Sequence, residues 1–269
     1  MSQLQQPVSI QVNAIKAFTD NYIWALFVPG FSKVVLVDPG DASVCIDFIE
    51  KNNLQLDAIL ITHHHPDHVG GVSELNQYCI NKEWSIDIFG PKHKDIPCVT
   101  TFVEDADIIE IPSLSLTLTV MTLPGHTLEH VAYYDNKKLF CGDTLFSAGC
   151  GRLFEGSPAQ MLDSLHKLIT LPENTAVYCT HEYTLANVNF ALTIEPSNLA
   201  LVNYYNKVVQ LRKKNQITLP STIKQELAVN PFLRCNEPEV QQSAVEHSQI
   251  QNKDELSVFT AIRAWKDNF

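Results

Sequence analysis

The sequence lacks any run of about 18 apolar residues, the length that a bilayer-spanning helix needs, so no part of it is expected to cross a membrane. Its opening residues, Met1-Ser2-Gln3-Leu4-Gln5-Gln6-Pro7, lack the basic start and apolar core of a secretory signal. A cytoplasmic protein is expected. Cysteine pairs in metal or redox spacing are missing: the 7 cysteines stand singly at 45, 79, 98, 141, 150, 179 and 235, with no Cys-x-x-Cys. An odd, dispersed set fits reduced thiols, most of them acting as small buried apolar residues. Basic residues are scarce, 19 Lys and Arg against 30 Asp and Glu, for a net charge of −11. That balance argues against nucleic-acid binding, which rests on neutralising phosphates. The scarcity is uneven. Residues 1–200 carry 10 basic against 23 acidic groups, whereas 201–269 carry 9 against 7. The tail would suit an anionic ligand, and bound cations would offset part of the acidic region. There is no internal repeat and no low-complexity segment. At 269 residues with 45% hydrophobic content, the chain has material for one large or two modest domains.

What is present in unusual density is histidine. Thr62-His63-His64-His65-Pro66-Asp67-His68-Val69-Gly70-Gly71 follows the apolar run Ala58-Ile59-Leu60-Ile61. Neutral imidazole and carboxylate are the usual nitrogen and oxygen ligands of zinc and similar cations. The spacing is His-x-His-x-Asp-His. On an extended segment leaving a strand, alternation puts His63 and His65 on one side and His64 on the other. His64 is therefore expected to serve packing or an outer hydrogen bond. Pro66 then turns the chain, so that Asp67 and His68 approach from a different backbone direction.

Residues 10–140 read as strands with short turns. Apolar runs at 23–28 and 34–37 flank a Pro-Gly turn, and Asp38-Pro39-Gly40 closes the second run. Residues 43–52 show helical spacing through Val44, Phe48 and Ile49. A buried strand over 57–62 ends at the histidines, and a helix follows near 72–80. Further strands are expected near 86–89, 107–111, 115–122, 131–134 and 138–141, with a last one at 176–179. Ser157 to Gln160, with Pro158 between them, is a capping-box pattern opening a helix over 157–170. Beyond about 183 helical periodicity takes over, at 185–194, 198–214, 222–229 and 254–267, punctuated by Pro196, Pro220 and Pro231. The layout is a strand-rich α/β unit followed by a helical appendage.

Three later residues stand where an apolar run stops: His126, Asp143 and His181. Ligands on strand-end loops of a rigid sheet are a common construction. With the histidine cluster they make seven candidates, too many for one tetrahedral ion and enough for two.

The His-x-His-x-Asp-His stretch resembles the signature of the metallo-β-lactamase fold. The resemblance implies an αββα sandwich in the α/β class, over 1–182, with a C-terminal helical domain over 183–269. It further implies that His63, His65 and His126 hold one metal, that Asp67, His68 and His181 hold a second, and that Asp143 bridges them, with Asp67 and Asp143 counted as catalytic. Two such ions about 3.5–4 Å apart can share a hydroxide and polarise a carbonyl, so metal-assisted hydrolysis is expected. His and Asp donors suit zinc first, with iron or manganese as alternatives.

Gly142-Asp143-Thr144-Leu145-Phe146-Ser147-Ala148-Gly149-Cys150-Gly151-Arg152 is similar to the corresponding stretch of the glyoxalase II (hydroxyacylglutathione hydrolase) family. So are Phe154-Glu155-Gly156, Thr180-His181-Glu182-Tyr183-Thr184, Asn230-Pro231-Phe232-Leu233-Arg234 and the terminal Arg263-Ala264-Trp265-Lys266-Asp267-Asn268-Phe269. This resemblance covers nearly the whole chain. It implies hydrolysis of S-D-lactoylglutathione to D-lactate and glutathione, the second step of methylglyoxal detoxification. It also implies glutathione contacts from Arg152, Tyr183, Arg263 and Lys266, the last two on one helix face. Phe154 stands where some relatives have Tyr, and Arg152 where some have Lys. A thiolate leaves without a general acid, so His130 and His166 are expected to be structural.

A mononuclear-iron glutathione persulfide dioxygenase and a lactonase are the rival readings within the fold. The seven-residue donor set and the helical tail favour the hydrolase. A β-lactamase is disfavoured because Asp143 stands where many such enzymes use Cys, and a nucleic-acid processing member by the acidic charge. A monomer without macromolecular partners is expected.

Overall fold

The computed structural model describes residues 10–269; the reading of Met1 to Pro7 lies outside them. Two mixed six-stranded sheets and nine α-helices are present among the described residues. The chain separates into two compact units, one of residues up to Met121 with Val131–Asp135, the other Thr122–His130 with Asn136–Phe269.

In the first unit, strands β1 (Gln11–Ala17), β2 (Asn21–Phe27) and β3 (Lys33–Val37) form an antiparallel meander. Helix α1 (Ala42–Lys51) then returns the chain, so that β4 (Gln55–Leu60) lies parallel to β3. A single turn α2 (Pro66–Val69) and helix α3 (Val72–Asn81) lead to β5 (Asp87–Gly90), parallel to β4, and β6 (Thr101–Phe102), parallel to β5. The first sheet therefore runs β1-β2-β3-β4-β5-β6. Strand β4 ends in the buried apolar run Ala58-Ile59-Leu60, as an interior strand with parallel neighbours on both edges does. Cys45 and Ile49 of α1 and Leu75 and Cys79 of α3 pack with Leu36, Leu56, Ile59 and Ile88 into one fully buried cluster. Truncating Ile59 or Leu36 to alanine would cost about 2–5 kcal/mol. Asp41 caps α1 by accepting from the Ser43 N–H at 2.9 Å. Strands β7 (Ile108–Ile111), β8 (Leu116–Thr122) and β9 (Val131–Tyr134) follow.

The second unit contains β10 (Lys138–Gly142), the two-stranded hairpin β11 (Leu145–Phe146) and β12 (Gly149–Cys150), helix α4 (Pro158–Leu168) and β13 (Ala176–Cys179). Helices α5 (Thr184–Ile194) and α6 (Leu199–Lys213), strand β14 (Ser221–Thr222) and helices α7 (Ile223–Val229), α8 (Pro238–Ser248) and α9 (Glu255–Asp267) complete it. The second sheet has the order β14-β13-β10-β9-β8-β7. Helix α4 begins with the expected capping box, Ser157 and Gln160 serving each other's backbone N–H. Val188, Ala191, Leu201, Val208 and Val229 join α5, α6 and α7 in a buried cluster.

The sequence reading has no helix at α8. Only Val240 and Ala244 of its eleven residues are buried, too thin a stripe to show as a period. The hairpin β11–β12 likewise leaves no mark in the sequence pattern, because each strand is two residues long. No helix among the described residues is long and apolar enough to cross a membrane.

Candidate metal centre

The first unit presents four of the seven candidate donors. The chain leaves β4 at Leu60 and runs without regular structure to His65, which occupies the N-cap position of α2 with Pro66 first in the helix. Asp67 and His68 thus ride on one helical turn, while His63 and His65 precede it. Asp38, at the end of β3, organises this segment. Its Oδ1 accepts from the Thr62 N–H at 2.7 Å and its Oδ2 from the Thr62 hydroxyl at 2.7 Å. Since the hydroxyl proton goes to Asp38, Thr62 Oγ1 accepts from His63 Nδ1–H at 3.0 Å. His63 is then the tautomer with its lone pair on Nε2, the ligand form. His68 is fixed the same way: its ring is fully buried and Nδ1–H donates to Asp38 Oδ2 at 3.0 Å. The carboxylate–histidine pair is the usual support of a metal-ligating imidazole. His63 Nε2 lies 3.1 Å from His65 Nδ1, and His68 Nε2 lies 3.5 Å from Asp67 Oδ2. Asn21 Nδ2 donates to Asp67 Oδ2 at 2.9 Å. Gly40 lies against Asp67, whose carbonyl an added Cβ would strike. The His64 ring is stacked on that of His93, centroids 4.0 Å apart.

The second unit presents the other three. Strands β10 and β13 are parallel, with Gly142 beside Cys179, so Asp143, directly after β10, and His181, two residues after β13, emerge at the same end. Asp143 Oδ2 lies 3.3 Å from His181 Nε2 and 3.5 Å from His126 Nε2. His126 Nδ1–H donates to the Arg152 carbonyl at 2.7 Å, which again leaves Nε2 as ligand atom. His130 is fully buried, accepts the Asp143 N–H on Nε2 at 3.1 Å and faces Thr144 Oγ1 with Nδ1 at 3.3 Å. Gly151 packs on the Asp143 carbonyl, where any Cβ would clash. Tyr183 stacks on His181 at 4.6 Å and 4°. Phe154, 61% exposed, meets His126 edge to face at 5.3 Å.

The cationic residues expected to hold glutathione sit around Asp267. Arg152 donates to Asp267 Oδ1 from Nε at 3.2 Å and to its carbonyl from Nη2 at 3.1 Å. Arg263 reaches the same Oδ1 at 3.0 Å. Arg263 is not on a solvated helix face: it is 6% exposed, and its Nη1 donates to the Cys150 carbonyl at 2.8 Å. The Lys266 ammonium lies over the Phe190 and Phe269 rings, and burial, then the Arg263 charge, push its pKa down. His166 pairs with Glu255 at 2.9 Å, tying α4 to α9.

Asp38 is a site residue that the sequence reading missed, being taken as part of a turn. The rule that found His126, Asp143 and His181, a chemical residue where an apolar run stops, would have found it too.

Residues 19–181 match the family model described as Metallo-beta-lactamase superfamily, which sets the class of protein. Residues 182–269 match the one described as Hydroxyacylglutathione hydrolase C-terminus. A hydroxyacylglutathione hydrolase of Shewanella baltica (strain OS155) is 50% identical over 97% of this chain and 100% of its own length. One from Nitrosomonas eutropha is 48% identical over 97% and 99%. The crystal structure of ETHE1 from Myxococcus xanthus superposes with a TM-score of 0.61 at 20% identity, over 96% of this chain and 99% of that one, and shows the fold. The chain belongs to the hydroxyacylglutathione hydrolase family. Its clusters of histidine and aspartate are consistent with a dinuclear metal site. The donor chemistry fits such ions, because His63, His68 and His126 each spend Nδ1–H on an oxygen and keep Nε2 for a ligand bond.

Proposed function

We propose that the protein hydrolyses the thioester S-D-lactoylglutathione, and related 2-hydroxyacylglutathiones, to the hydroxy acid and glutathione. The observation that carries this is the 50% identity over the full length of a hydroxyacylglutathione hydrolase, together with candidate histidine donors that keep Nε2 for a ligand bond. His63, His65 and His126 would hold one ion and Asp67, His68 and His181 the other, with Asp143 shared. When bound, such a pair supplies Lewis acidity and an acidified water. Zinc is the ion proposed, since imidazole and carboxylate suit it, as they also suit iron and manganese.

The protein's own groups do the remaining work. Asp38 and the Arg152 carbonyl orient three imidazoles. His130 accepts a backbone N–H on Nε2 and is not available as a proton donor to a leaving group. His166 is engaged by Glu255. A thiolate needs neither. Arg152, Tyr183, Arg263 and Lys266 are proposed to contact the glutathione moiety, with Phe154 giving packing only. The catalytic part is proposed to extend to 182 and the glutathione-binding helical part to run from 183. The active form is proposed to be a cytoplasmic monomer, in keeping with its free thiols.

The test compares S-D-lactoylglutathione with the same acyl group on a short thiol lacking the γ-glutamyl and glycyl parts. A kcat/KM at least about a hundredfold lower for the short thioester, the scale of a few lost charged hydrogen bonds, supports the reading. Equal values would contradict it.

A further inference from the structure

The β11–β12 hairpin is a common frame for the three donors of the second unit. Asp143 stands two residues before it. Arg152, two residues after it, gives the carbonyl that orients His126. Phe146, inside it, meets the His181 ring edge to face, centroids 5.9 Å apart. The two strands close with Gly151 N–H donating to the Thr144 carbonyl at 3.1 Å. The position of this hairpin therefore bears on all three donors.

The hairpin is held by the helical tail. Its turn is Ser147-Ala148, and Ala148 has φ +55°. A non-glycine residue keeps that left-handed conformation only where its surroundings impose it. Glu226 of α7 supplies the constraint. Its carboxylate is fully buried and accepts the Ala148 N–H on Oε2 at 2.7 Å and the Ser147 hydroxyl on Oε1 at 3.0 Å. Ser147 Oγ, its proton so committed, accepts from Tyr204 OH at 2.7 Å. Asn230 Nδ2 reaches Glu226 Oε2 at 3.1 Å, the Phe146 carbonyl at 3.2 Å and the Gly149 carbonyl at 2.9 Å. Asn187 Nδ2 donates to the Ser147 carbonyl at 3.1 Å.

A carboxylate is a costly way to fill a core. Burial pushes the Glu226 pKa up, the hydrogen bonds it accepts pull the other way, and no lysine or arginine pairs with it among the described residues. An apolar side chain would pack there without desolvating a charge. What it could not do is accept from the turn.

We propose that Glu226 is a positioning residue for the metal centre: by pinning the Ser147-Ala148 turn it holds the hairpin, and through the hairpin the donors His126, Asp143 and His181. This rests on the dinuclear reading above. The groups that Glu226 hydrogen-bonds, Ser147, Ala148 and Asn230, are neither candidate donors nor groups proposed to meet substrate.

The experiment uses the full chain loaded with metal. The variants are Glu226→Met, Glu226→Gln and, as an unrelated core truncation, Val240→Ala in α8. Two quantities are read at a temperature where each is folded: the rate of metal loss to a chelator, and kcat with KM. Glu226→Met is expected to lose metal about tenfold faster and to lose about tenfold in kcat, the scale of outer-shell changes, with KM little moved. Glu226→Gln keeps an acceptor for Ala148 and can reverse the Ser147–Tyr204 chain, so it is expected to restore both. Val240→Ala is expected to lower Tm and leave both unchanged. Folded Glu226→Met with wild-type metal retention and kcat would overturn the proposal. If Glu226→Met does not fold, Ser147→Ala replaces it: faster metal loss supports the proposal, and wild-type retention overturns it. Metal content of the wild type, taken first, reports on the dinuclear reading, while the ratio of variant to wild type reports on Glu226.

Discussion

Asp38 Oδ2 and His68 Nδ1 lie 3.0 Å apart with both side chains buried, and the same carboxylate also takes both donors of Thr62. One residue just past the end of β3 thereby orients the candidate donor His68 on α2 directly and His63 through a hydroxyl. Asp38 itself sits at φ +51°, a strained conformation that its hydrogen bonds sustain.

Asp38→Ala leaves His68 Nδ1 and the Thr62 hydroxyl without their acceptor. Metal affinity is expected to fall about 10- to 100-fold, read by competition with a chelator of known affinity. Wild-type affinity in that variant would mean that Asp38 does not govern the imidazoles.

Asp143 faces both His126 and His181 from one oxygen. Asp143→Ala is expected to abolish turnover and to lower the metal content, because it removes the ligand proposed to be shared. Elemental analysis of the purified variant checks this, and turnover at the wild-type rate would sink the shared-ligand scheme.

Lys266 and Arg263 are expected to separate. Lys266→Ala should raise KM and leave kcat nearly unchanged, as a loss of uniform binding does. Arg263→Ala should raise KM and also lower Tm, since it strips a buried donor from the Cys150 carbonyl at a cost of about 1–3 kcal/mol. A double variant with an unchanged KM for the glutathione thioester contradicts the contact assignment. Comparing the two Tm values shows how much of Arg263 is structural.

Thiol chemistry gives an independent check on packing. Of the seven cysteines only Cys98 is exposed. Burial pushes the Cys79 thiol up to about 11 and holds Cys45, Cys141, Cys150, Cys179 and Cys235 above their ordinary range. The thiolate is the nucleophile, so a raised pKa and lost access slow reaction together. One thiol per chain is expected to react with a disulfide reagent near pH 8, and seven after unfolding. Rapid reaction of several thiols in the native protein would contradict the buried placements.

The histidine cluster was legible in the sequence because several candidate donors share one short loop, and because the apolar run Ala58-Ile59-Leu60-Ile61 stops there. His126, Asp143 and His181 were legible as strand-end residues. Asp38 obeyed the same rule but was hidden by the Pro39-Gly40 beside it, which reads as a turn. Glu226 was not legible at all. Within the helical pattern of α7 it looks like any surface glutamate, and only the fold brings it under the Ala148 N–H, 78 residues away in sequence. The burial of Arg263 was likewise invisible, since a lone arginine on a helix gives no sign of the carbonyl that it will meet.

The proposed activity is two-metal hydrolysis of a glutathione thioester. Its most direct test is the turnover of S-D-lactoylglutathione measured beside the metal content of the same preparation, before and after chelation. Rapid hydrolysis is expected with nearly two metal ions per chain, lost on chelation and regained when metal is returned. Hydrolysis that survives complete removal of metal, or no hydrolysis from a chain carrying its full metal complement, would contradict it.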